Sequence, residues 1–287
     1  MVTGAGGLLG QAVVARLRGS DVIALDRRGL DITDPGSVRA TMAAHSPDVV
    51  VNCAAWTAVD DAETREAEAL RINGQGPAHL AADCAATGAR LIHVSTDYVF
   101  AGDASHPYPE NHPTGPRTAY GRTKLAGEQA VLTALPESGF VVRTAWLYGA
   151  GGANFVRTMI RLADERDVLD VVDDQWGQPT WTTDLADLLV RVGNAALVGQ
   201  AAPGVYHGTS TGSATWHELA QEIFRLLGTD PTRVRPVATS AFRRPAPRPG
   251  YSVLGHQRWC EAGLAPIRHW RAGLAEAFPA LLSAERR

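Results

Sequence analysis

Four short apolar runs, "DVIALD" (21–26), "DVVVNCAA" (48–55), "ARLIHVSTDYVF" (89–100) and "FVVRTAWLYG" (140–149), alternate with Ala/Leu-rich stretches, and this alternation restricts the fold more than any other feature. The runs are nearly continuous in apolar and β-branched residues, as strands are when helices cover both faces of a parallel sheet. Between them lie "LLGQAVVARLRG", "DPGSVRATMAAH", "EAEALRINGQGPAHLAADCAATG" and "TAYGRTKLAGEQAVLTAL", which read as helices. Strands alternating with helices predict an α/β chain with a doubly wound parallel sheet of the Rossmann kind. Past about residue 150 the pattern loosens. A helix (182–197), a short strand (204–208), a helix (214–228) and a last helix (269–284) surround a Pro/Arg-rich stretch at 233–250. The expected division is a dinucleotide-binding domain at 1–149 and a smaller substrate lobe at 150–287, with some segments of the lobe returning to the sheet.

"VTGAGGLLG" sharpens that reading. Gly4, Gly7 and Gly10 recur every third residue, directly after a strand-like start and at the opening of an apolar helix. Glycines so placed allow a tight turn and let the backbone approach a pyrophosphate, which sits on the free N–H groups at the start of the helix. Leu8 and Leu9 share that helix start. Asp26 closes the second strand about twenty residues after Gly4, the offset at which an acid meets the ribose hydroxyls. Arg27 and Arg28 follow it, and arginines there suit a 2′-phosphate, so both NADH and NADPH stay open. Only Met1, Val2 and Thr3 precede Gly4, short for a central strand, and a natural start several codons upstream is expected.

Tyr120 and Lys124 stand four apart on one face of a helix. The pair is either a solvated face or an acid and its tuner. A free tyrosine, with a pKa near 10, is a poor proton donor at neutral pH, and an ammonium one turn away favours its phenolate. Thr96, at the C-terminal end of its strand, lies where open α/β sheets place ligands. Ser95 competes for the same role; local backbone is the expected partner of its hydroxyl.

Six motifs in order, "TGAGGLLG", "VNCAAWTAVDDAE", "STDYVF", "YGRTKLAGE", "RTAWLYG" and "DQWGQPT", make the chain resemble the dTDP-4-dehydrorhamnose reductases of the extended short-chain dehydrogenase/reductase superfamily. The resemblance spans nearly the whole chain. It implies NADPH- or NADH-dependent reduction of the 4-keto group of dTDP-4-dehydro-L-rhamnose to dTDP-L-rhamnose. By it Thr96, Tyr120 and Lys124 form the catalytic trio. Asp26, Asp31, Ile32, Ala55, Trp56, Thr57 and Val94, with Tyr120 and Lys124, fall at cofactor positions. Thr96, Asp97 and Trp146 fall at substrate positions, and Arg248 is favoured among the arginines of 233–250 for the diphosphate.

The chain also departs from the family pattern. Trp56 stands where histidine is frequent, Cys53 where alanine is, and Tyr251 replaces an asparagine in "RPGYSVL", which bears on the sugar. Relatives that dimerise through glutamate-bound magnesium carry glutamate where Ala12 stands, so no metal is expected, and the state is monomer or homodimer. Asp173 and Asp174 open "DQWGQPT" and read as a turn that shapes the pocket. A related dTDP-4-keto or branched sugar of the streptose type is the alternative substrate. A non-catalytic partner role, as in the regulatory subunit of methionine adenosyltransferase, is the alternative of another class.

Composition leads to the expectation of a soluble cytoplasmic protein. A net charge of −3 offers no general attraction to nucleic acid or membrane, and three cysteines without ligand spacing suit a reducing compartment.

Overall fold

The computed structural model describes residues 1–286. Its main sheet has six parallel strands: β1 (Val2–Thr3), β2 (Ala24–Leu25), β3 (Val49–Asn52), β4 (Arg90–Thr96), β5 (Gly139–Thr144) and β6 (Gly204–His207). They stand in the order β6-β5-β4-β3-β1-β2. The order reverses at β1, which pairs with β2 on one side and β3 on the other. Such a switch point opens a crevice beyond the carboxyl ends of the strands.

Helix α1 (Leu8–Arg16) and the long helix Thr182–Leu197 bury one face of the sheet around Val13, Ile92, Val142 and Leu188. Helices Pro35–His45, Gly76–Thr87 and α2 (Ala119–Ala134) bury the other around Val38, Leu80, Leu91 and Val141. Covering on both faces is why the strands read as unbroken apolar runs. Two segments beyond residue 149, Thr182–Leu197 and β6, therefore pack in the sheet's own core. The remaining C-terminal elements make a second core. Helices Phe155–Glu165, Trp216–Leu226 and Trp270–Glu285 close around Ile160, Phe224 and Trp270, beside a parallel pair of Leu169–Val172 with Val234–Val237.

All four strands are shorter than the apolar runs suggest, β4 and β5 for a local reason. β2 keeps only two residues of 21–26, although Val2 also donates to the Ile23 carbonyl at 2.8 Å. β4 stops at Thr96, where the Thr96 hydroxyl accepts the Tyr98 N–H and turns the chain into one 3₁₀ turn. β5 stops at Thr144 because Trp146 adopts a left-handed backbone, φ 47°, which a ladder cannot continue. The expected helix at 66–88 contains a π-helical turn, Arg71–Gln75, between two α-helical pieces. β1 pairs over two residues only, and the Met1 ammonium donates to the Val49 carbonyl at 2.7 Å. No described helix is long and apolar enough to cross a membrane.

Candidate active site

A crevice of about 480 Å³ opens at the switch point, lined by Gly4, Gly7, Asp26, Asp31, Ile32 and Ala55 of the residues singled out above. The glycines are there because side chains do not fit. Gly4 has φ 66°, and a Cβ on it would lie 2.6 Å from the Ala54 nitrogen. A Cβ on Gly10 would lie 2.2 Å from the Gly4 carbonyl oxygen. Gly7 caps α1 with extended backbone and no side-chain hydrogen bond. Leu8, Leu9 and Gly10 form the first turn of α1, so their N–H groups have no partner within the helix and lie at its positive end. The Leu9 side chain is in the core, which leaves its backbone as its contribution to the site. A pyrophosphate fits this cradle.

The acids at the crevice are held by turns. The Asp26 carboxylate accepts the N–H groups of Arg28 and Gly29 at 2.9 and 3.0 Å, beside the open side chains of Arg27 and Arg28. The Thr33 N–H, and then its hydroxyl, hold Asp31 below the usual carboxylate range. Cys53 and Ile72 also line the crevice. Cys53 had a signal, its departure at an alanine position. Ile72 had none, because the π-helical turn that carries it follows no apolar period. Trp56 and Thr57, expected at cofactor positions, stand just past Ala55 at the crevice's edge, since the chain leaving β3 crosses to the neighbouring cavity within a few residues. Thr57 lines that cavity, while the Trp56 indole donates to the Ala58 carbonyl under the Arg65 guanidinium.

The second cavity, about 570 Å³, is lined by Ser95, Thr96, Asp97, Tyr120, Trp146 and Arg248 among others. Helix α2 reaches it because Thr118 caps the helix and accepts the Gly121 N–H at 3.0 Å. A Cβ on Gly121 would lie 2.2 Å from the Tyr98 carbonyl oxygen, so only glycine lets α2 start against the end of β4. That contact sets Tyr120 beside the Thr96 hydroxyl and edge-on to Tyr98, ring centroids 5.6 Å apart.

Burial pushes the Tyr120 phenol up to about 12, against the pull of the Thr96 hydrogen bond. The expected lowering by Lys124 is not seen. Lys124 is fully enclosed and spends its Nζ on the Val94 carbonyl at 2.6 Å, with His93 Nε2 at 3.3 Å. Burial lowers Lys124 itself to about 8, with Glu128 and Cys53 pulling the other way. Val94 thus meets the site through its carbonyl.

Thr96 donates to Asp97 Oδ1 at 2.9 Å, and burial pushes the Asp97 carboxyl up to about 6 against the pull of nearby Ser252 and of the Thr96 bond. Ser95, expected to bond local backbone, has no hydrogen-bond partner among the described residues. The reason is that β4 lies between β3 and β5, which take up the neighbouring backbone groups.

Trp146 forms a wall. Its indole stacks on Trp216 with centroids 3.5 Å apart and planes at 9°, and a Cβ on Gly177 would lie 2.4 Å from its Cε2 atom. Arg248 lines the same cavity but donates to Asp60 at 2.8 Å and to the Ala246 carbonyl. Burial works against the charge on Asp60; the bonds from Arg248 and the Ala246 N–H prevail and hold its carboxyl low. Arg233 and Arg235 are structural: Arg233 donates to the carbonyls of Ala163, Arg166 and Asp167, and Arg235 pairs with Asp170. Asp173 accepts the Thr215 hydroxyl and Asp174 the Thr239 N–H, so both acids fix the turn under the cavity. Tyr251 does not line the cavity, whereas its neighbour Ser252 does.

Comparison with known proteins agrees with this geometry. Residues 1–283 match the RmlD substrate binding domain family. A dTDP-4-dehydrorhamnose reductase of Streptomyces griseus is 61% identical over 283 residues, covering 98% of this chain and 93% of that protein. A dTDP-4-keto-6-deoxy-D-glucose reductase of Streptomyces niveus is 56% identical, covering 98% of this chain and 96% of that one. The crystal structure of a Bacillus anthracis dTDP-4-dehydrorhamnose reductase in complex with NADP superposes with a TM-score of 0.91 at 38% identity, covering 97% of each chain.

Proposed function

The chain belongs to the dTDP-4-dehydrorhamnose reductase family, and from that premise we propose that it reduces the 4-keto group of dTDP-4-dehydro-L-rhamnose to give dTDP-L-rhamnose. The observation that carries the proposal is the meeting of two cavities at one corner. A glycine-built crevice lies beside a cavity that holds Thr96 and Tyr120, with the Lys124 side chain enclosed beneath.

NADPH or NADH fits the crevice: the helix start takes the pyrophosphate, and Asp26, Asp31, Arg27 and Arg28 surround the place of the adenosine ribose. When bound, the reduced dinucleotide supplies the hydride for the carbonyl carbon. Tyr120 gives its proton to the carbonyl oxygen, which becomes the new hydroxyl. A phenol held near 12 keeps that proton until the oxygen gains negative charge, and the enclosed site strengthens the transfer. Thr96, bonded to Asp97, holds the reacting oxygen and Tyr120 in register. Lys124 stands ready to return a proton towards Tyr120 and to meet the nicotinamide ribose. Trp146 and Asp97 face the sugar, and Arg248 the diphosphate. Residues 1–149 supply the dinucleotide crevice, and residues beyond 149 supply most of the cavity's far wall.

A second substrate reading, a related dTDP-4-keto-6-deoxy sugar, is favoured by the Streptomyces niveus relative. The test is cofactor oxidation with a panel of dTDP-4-keto sugars and identification of each product. The highest kcat/KM is expected for dTDP-4-dehydro-L-rhamnose. A higher value for another 4-keto sugar moves the assignment to that substrate. No oxidation with any of them supports a non-catalytic role.

A further inference from the structure

His93 is wholly buried in the middle of β4, yet its ring touches the lysine of the site just described. Its protonation can be read from its neighbours. The Ala54 backbone N–H donates to Asn52 Oδ1 at 3.1 Å, and the Thr3 hydroxyl donates to the same oxygen at 2.7 Å. A backbone N–H cannot reverse its role, so the Asn52 amide is oriented with its NH₂ towards His93. That NH₂ lies 3.0 Å from His93 Nδ1, which must therefore accept. Burial keeps the ring neutral, so its single proton is on Nε2. This N–H points at Lys124 Nζ, 3.3 Å away.

Two donors then face each other whenever Lys124 is an ammonium. The neutral amine satisfies every contact: it accepts from His93 Nε2 and donates to the Val94 carbonyl. The other groups around Lys124 do not offset this. Cys53, beyond the end of β3, is pushed up to about 12 by burial and stays a thiol. Glu128, one turn along α2, is bound through both oxygens by Arg143 of β5, at 2.9 and 2.7 Å. Tyr120, one turn back, is a neutral phenol. The approach is built in, since a Cβ on Gly127 would lie 3.2 Å from His93 Nε2 and 2.2 Å from the Asn73 carbonyl oxygen, and glycine lets α2 close onto the ring.

We propose that His93 is a positioning residue: oriented by Asn52, it presents its Nε2–H to Lys124 and biases that lysine towards the neutral amine until a ligand brings acceptors for an ammonium. The inference rests on the reading of Lys124 as a residue of the reductase site. It makes Lys124 a group that takes up a proton when acceptors arrive and releases one to Tyr120 afterwards.

The test uses the whole protein without substrate, so its outcome is separate from that of the reductase assay. In a ¹⁵N-histidine spectrum His93 is expected as the neutral Nε2–H tautomer across the neutral range. An Nδ1–H tautomer or an imidazolium would overturn the proposal, and this reading needs no variant. In His93→Gln the side-chain oxygen can accept from Nζ, so the Lys124 ¹³Cε titration midpoint is expected to rise by about one pH unit, the size of one gained hydrogen bond to a buried ion. A folded His93→Gln protein with an unmoved midpoint would equally overturn it.

Discussion

The crevice and the cavity lie side by side but are made of different materials. The crevice is backbone: Gly4, Gly7, Gly10 and the turns at Asp26 and Asp31, nearly all from the first 55 residues. The cavity is side chain: Thr96, Tyr120, Trp146, Trp216 and Arg248, gathered from five separate segments. Their acids differ in the same way. Asp31 is solvated, hydrogen-bonded and held low, whereas Asp97 is enclosed and pushed up to about 6. A ligand that recurs across many proteins needs only a shaped backbone, while one particular sugar must be met by side chains with tuned charge. The corner between the two regions is where both must act together.

The largest expected effect falls on that corner. Tyr120→Phe should cost on the order of 10²–10⁴-fold in kcat, the worth of a positioned acid, with cofactor affinity kept. Retained turnover, measured with a dTDP-4-keto sugar, would break the distinction between a binding region and a reacting one.

Next comes the enclosed acid. A carboxyl raised by burial contributes stability below its unfolded pKa and loses it as pH rises through the folded value. For Asp97 the window runs from 3.8 to about 6, a shift bounded at about 3 kcal/mol. Asp97→Asn should therefore gain in melting temperature over the parent as pH rises across that window, while losing sugar binding. A difference flat in pH, by scanning calorimetry, would mean that Asp97 is not desolvated.

Two smaller effects separate the regions. Gly10→Ala places a Cβ 2.2 Å from the Gly4 carbonyl oxygen and should weaken cofactor binding by about 10- to 100-fold, as overpacking by one methyl does. Gly177→Ala displaces the Trp146 indole instead and should raise the sugar KM about tenfold, with cofactor Kd unchanged in a fluorescence titration. Crossed results, with Gly177→Ala harming cofactor affinity, would show that the two cavities are one.

The same contrast explains what could be read in advance. The parallel sheet and the glycine loop were legible because each rests on local spacing: apolar runs, a three-residue glycine repeat and an acid at the end of β2. The Thr96, Tyr120 and Lys124 positions came from resemblance, and the structure brings all three to one corner. Long-range effects were not legible. Nothing in the sequence near Trp146 announces its left-handed backbone or its stack on Trp216. The spacing of Tyr120 and Lys124 gave no hint that Lys124 would turn to the Val94 carbonyl. Nor did the sequence show that the chain crosses from the crevice at Ala55 to the neighbouring cavity at Thr57.

The central claim is that the crevice delivers a hydride to a ketone held in the cavity. It is tested most directly with reduced cofactor deuterated at the transferring C4 position and dTDP-4-dehydro-L-rhamnose as substrate. The account expects one deuterium on C4 of the sugar, with its new hydroxyl proton drawn from solvent. Product without deuterium at that carbon, or deuterium kept in the cofactor after turnover, would contradict it.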